Sequence, residues 1–64
     1  MSDKSKIGDM YIYEDEELNV EQECMVVEVA PMHLILVTSD NVWLKAVRGI
    51  NSDKFIPIRD IAAL

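Results

Sequence analysis

The chain has 64 residues, 50% of them hydrophobic, only two Gly and two Pro, and a net charge of −6. A domain this short has room for one core and buries roughly 60% of the surface its unfolded chain exposes, while its apolar content excludes a disordered acidic tail. Residues 1–30 carry nine acids against two bases and residues 31–64 three against four, so the negative field belongs to the first half. The clustered bases that would neutralise a nucleic-acid backbone are missing, which disfavours direct binding to DNA or RNA.

Cys24 is the one cysteine, so an intramolecular disulfide is excluded. The opening Met-Ser-Asp-Lys-Ser-Lys carries no apolar signal stretch, and the two features together predict a reducing, cytoplasmic location. No apolar run exceeds that of Leu34 to Val37, far below the ~20 residues of a membrane helix.

Residues 1–6 are polar, without periodicity, and predict a disordered leader before a single domain over 7–64. After Gly8-Asp9, the run Met10-Tyr11-Ile12-Tyr13 predicts a first strand with Met10 and Ile12 on one face and the two tyrosines on the other. Glu14 to Glu23 is polar and predicts a long loop, with Asn19 placed to cap a helical turn. Cys24 to Ala30 predicts a second strand that turns Met25, Val27 and Val29 to one side and Glu28 to the other, and Pro31 ends it.

Met32 to Thr38, with His33-Leu34-Ile35-Leu36-Val37 at its centre, predicts a central strand covered on both faces. Ser39-Asp40-Asn41 predicts a hairpin turn. Its partner strand, Val42 to Arg48, places Val42, Leu44 and Ala46 inward and Trp43, Lys45 and Val47 outward. A second turn over residues 49–53 leads to Lys54-Phe55-Ile56-Pro57-Ile58, an edge strand because Pro57 cannot donate to a ladder. Ile58, Ile61 and Leu64 repeat every three residues, predicting a short 3-10 turn near the C-terminus.

Five short strands in up-and-down order predict an all-β fold, a small closed or half-closed barrel. The Gly8-Asp9 opening, the Val26-Val27-Glu28-Val29 strand, the Leu34 to Trp43 hairpin and the closing Phe55-Ile56-Pro57-Ile58-Arg59-Asp60-Ile61 together resemble the SH3-like barrels, including the Tudor and KOW types. The resemblance covers residues 7–64 and implies a five-stranded SH3-like barrel that works as a binding module.

Catalytic chemistry has little to be built from: one His (His33), one Cys (Cys24), no Gly-rich phosphate loop and no nucleophile elbow. No enzyme activity, cofactor or metal is expected. The Glu14-Asp15-Glu16-Glu17 run lacks the alternating ligands and central glycine of a calcium loop; it reads either as a solvated loop or, with Asp9, Glu21, Glu23 and Glu28, as an acidic recognition surface. Trp43, Tyr11, Tyr13 and Arg48 are of the types that anchor interfaces or pack a core, and a tyrosine pair beside carboxylates also suits a cationic or methylated side chain, as the Tudor resemblance implies.

The expected site is therefore Tyr11, Tyr13, Glu14, Asp15, Glu16, Glu17, Glu28 and Trp43. The expected function is a small non-enzymatic module, an accessory regulator or inhibitor of cellular or viral origin, that binds a larger, basic cytoplasmic protein. Three alternatives stand beside it: a nucleic-acid mimic, a structural subunit that oligomerises through strand edges, and direct RNA binding through Lys45, Arg48, Lys54 and Arg59 with Trp43 or Phe55 as a stacking platform.

Overall fold

A computed structural model describes residues 5–58. Five strands follow in chain order, β1 (Met10–Asp15), β2 (Val20–Val29), β3 (His33–Thr38), β4 (Trp43–Val47) and β5 (Phe55–Pro57), with a 3-10 turn at Ser52–Lys54 before the last. All pairings are antiparallel, in the sheet order β4-β3-β2-β1-β5. The chain meanders through four strands and returns to pair β5 with β1, so the sheet curls into a half-barrel with β4 and β5 at its rims. Beyond Ile58 the tail, with its predicted 3-10 turn, lies outside the described residues, as do Met1, Ser2, Asp3 and Lys4 of the predicted leader.

The predicted long acidic loop is instead the end of one hairpin. β1 runs on to Asp15 and β2 begins at Val20, leaving four loop residues. The Asp15 carboxylate folds this turn: Oδ1 accepts the backbone N–H of Glu17 at 3.1 Å and of Leu18 at 3.3 Å, the side-chain turn that Asp favours. Asn19 then takes a left-handed φ of 54°, which Asn tolerates better than most residues.

Closing the hairpin so tightly sets the facing of both strands, and it is the reverse of that predicted for β2. Tyr11, Cys24 and Val26 are inside; Met10 and Met25 are outside, 40% and 39% exposed. A bulge between Val26 and Glu28 inserts Val27. Because one extra residue shifts side-chain parity, Glu28, paired with outward Ile35, joins Glu21 and Glu23 on the outer face.

β3 alternates rather than being covered on both faces: Leu34, Leu36 and Thr38 are buried, while His33, Ile35 and Val37 are half-buried. β4 faces as predicted at Trp43, Leu44, Lys45 and Ala46, whereas Val42 precedes the strand and is exposed. Pro57 sits on the β5 rim opposite Tyr11, where a missing N–H costs least.

The core gathers Tyr11, Cys24, Val26, Leu34, Leu36, Ala46 and Phe55, with Tyr13 and Leu44 packed against it. The Tyr13 and Phe55 rings lie 4.8 Å apart at 40°, a tilted aromatic pair that joins β1 to β5.

Candidate protein-binding face

The eight residues singled out by sequence divide into three groups. Tyr11, Tyr13 and Asp15 alternate on the inner face of β1. Tyr11 is 1% exposed and its hydroxyl is hydrogen-bonded to the Ser5 hydroxyl, so it is a core residue and offers a partner no surface. Tyr13 stacks on Phe55 and donates its hydroxyl to Asp15 Oδ2 at 3.1 Å.

Asp15 is buried and holds the first hairpin to the 3-10 turn: besides the two loop amides and Tyr13, its Oδ2 accepts the Lys54 ammonium at 3.3 Å. Burial pushes its pKa up, but the amide, phenol and ammonium donors outweigh this and hold it below the usual carboxylate range. Lys54 is raised by the same pair, and Tyr13 is raised by burial and by Asp15. These three residues are structural, and Asp9, which accepts the Lys6 amide at 2.9 Å, also serves the backbone.

Glu16 and Glu17 stand exposed at the hairpin tip. Glu14, Glu28 and Trp43 belong to the outer face of the sheet, and they share it with residues that sequence reading missed. Met10 pairs with Met25, Met25 with Val37 and Val37 with Trp43, making one apolar row across four strands. Trp43 is 67% exposed. On one side of the row come Glu23, opposite Ile12, and then Glu14 directly opposite Glu21. On the other side Ile35 lies between Glu28 and Lys45, with Glu28 Oε2 at 3.9 Å from His33 Nε2.

Two features of this face run against folding economy. Like charges directly opposite across a strand pair are destabilising, yet Glu14 and Glu21 are so placed. Apolar side chains aligned on a solvated sheet face stay partly in water in the isolated chain, yet four stand in register. Between them lies a hollow of about 460 Å³ whose lining includes Met10, Met25 and Val37 on the apolar side and Glu21 and Glu23 on the acidic side.

Recognition at the β4 edge is obstructed. The Asn51 side chain accepts the Val47 amide at 2.6 Å and donates to the Lys45 carbonyl at 2.9 Å, and the Val47 carbonyl accepts the Ile50 and Asn51 amides. The turn after β4 thus folds back and occupies the edge groups at the Val47 end of the strand, which a second strand would otherwise pair with.

Cys24 is buried, and burial pushes its thiol up to about 11, which removes the thiolate a nucleophile needs. Among the described residues no group of His, Cys, Asp and Glu is placed to hold a metal ion, and no helix is long and apolar enough to cross a membrane. No protein-family model matches the chain, and comparison with curated proteins and with solved structures finds no match.

Proposed function

We propose that this is a small, acidic, non-enzymatic protein-binding module of SH3-like type that acts on a larger, basic cytoplasmic protein, and that it does so through the outer face of its sheet. The observation that carries the reading is the in-register row Met10–Met25–Val37–Trp43 lying beside the opposed pair Glu14–Glu21 and Glu23. An apolar centre with a Trp anchor and a charged margin is the anatomy of a protein interface. The return of β5 onto β1 supports the SH3-like assignment, and regulation or inhibition of the partner follows from occupying its basic surface.

The face favours this reading over the alternatives. Lys54 is engaged by Asp15, so the second half has fewer bases to offer RNA than its composition suggests. Asn51 covers the Val47 end of the β4 edge, one of the two rims that edge-to-edge assembly would use.

Affinity capture from nuclease-treated host lysate tests the proposal, with Met25→Ser/Trp43→Ser and the tip variant Glu16→Gln/Glu17→Gln as baits. A stoichiometric basic protein retained by the wild type and the tip variant but lost from Met25→Ser/Trp43→Ser is the expected result. Equal retention by all three baits would remove the sheet face from consideration.

A further inference from the structure

We infer that the hollow beside Met25 is a socket for an arginine side chain of the partner, with Glu21 and Glu23 as its specificity-determining residues; this rests on the outer face being the binding surface. Met25 and Glu23 are two residues apart on the same face of β2, and such neighbours are separated by roughly 6.6 Å. An apolar stem laid over Met10, Met25 and Val37 therefore carries its cationic head to the carboxylate of Glu23, with Glu21 the next residue along the same face.

The chemistry of the lining selects the ligand. Met10, Met25 and Val37 give a polarisable, apolar floor, which suits the methylene stem of a long cationic side chain, and Gln22, Thr38 and Ser39 add neutral polar groups to the lining. Glu21 and Glu23 are exposed, and the opposed Glu14 adds a third negative charge, so the head group meets acceptors, and among the described residues no base lines the hollow. Lys45, outward on β4, lies across the apolar row. Lysine would meet the same charge, but a guanidinium is weakly hydrated, planar and able to fork between two carboxylates, whereas an ammonium is a strongly hydrated point charge. Trp43, at the other end of the row, then receives an apolar side chain of the same partner segment. Such a cation places a counter-charge where the register sets Glu14 opposite Glu21.

A random-peptide display library panned on the immobilised protein tests the inference without knowledge of the natural partner. Enriched peptides are expected to share an arginine close to a large apolar residue and to be depleted on Glu21→Gln/Glu23→Gln. In a synthetic copy of an enriched peptide, citrulline in place of that arginine, of the same shape without the charge, should weaken binding roughly ten- to hundred-fold, the value of a charge-assisted hydrogen bond. Peptides that need Trp43 and Met25 but show no arginine would overturn the socket and leave the binding face standing. Peptides indifferent to Trp43→Ser and Met25→Ser, or no enrichment at all, would overturn both.

Discussion

Asp15 shows how far a single carboxylate can depart from what an acidic run suggests. Within Glu14-Asp15-Glu16-Glu17 it is the residue turned inward, and its two oxygens accept from the Glu17 and Leu18 amides, Tyr13 and Lys54. Its pKa is lowered in the fold, so its stabilising contribution is fully present above the ordinary carboxylate range and disappears as pH falls through the lower folded value. Urea midpoints measured from neutral pH into the acid range should fall for the wild type, and Asp15→Asn should be less stable at neutral pH with a flatter acid limb. Lys54 has the opposite sign: its raised pKa gives stability below the ordinary ammonium value that is lost at higher alkaline pH. Asn51 is a second structural residue with no warning in composition. Asn51→Ala removes both bonds to β4, and a loss of about 1–3 kcal/mol is expected, with light scattering rising as the β4 edge opens to other chains.

At the level of elements, the existence and order of the strands, the β3–β4 hairpin and the edge position of Pro57 were legible because runs of β-branched and aromatic residues alternate with turn residues. Facing was legible only where both faces of a strand carried a clear signal, as in β4 with Leu44 and Ala46 against Trp43 and Lys45. In β2 hydrophobic residues occupy both faces, so Met25, Val27 and Val29 looked equivalent to Cys24 and Val26. The signal that resolves them is Glu21 and Glu23: carrying their outward parity along the strand puts Met25 outside and Cys24 inside. The bulge at Val27 then breaks that parity before Glu28, and no residue type announces it. Tyr11, counted with the interface residues, is core because its phenol has a partner in Ser5 and its ring fills the half-barrel. Cys24 lies on the inner face of β2 and reports on this packing: a thiol reagent should modify it only when the sheet opens, at a rate that rises with denaturant in step with unfolding. Rapid labelling of the native protein would place Cys24 at the surface and reverse the facing of β2.

Across the whole molecule, the excess of acids in the first half resolves into separate uses. Asp9 and Asp15 serve turns, Glu16 and Glu17 stand at a hairpin tip, and Glu14, Glu21, Glu23 and Glu28 share the outer sheet face with the apolar row. Composition showed the charge but could not show this division, because it depends on the closure of the first hairpin and on one bulge. Trp43→Ser removes an exposed side chain and Met25→Ser a partly exposed one paired across the strands with Met10 and Val37, so each should lower stability by no more than about 1–2 kcal/mol, while partner binding weakens sharply and falls further with added salt. The most direct test follows methionine methyl and Trp indole resonances of the labelled protein as the captured partner is added. Met10, Met25 and Trp43 should shift together while Met32, 58% exposed in the turn between β2 and β3, stays in place. A shift at Met32 with Met10, Met25 and Trp43 unmoved would contradict the assignment of the outer face as the binding surface.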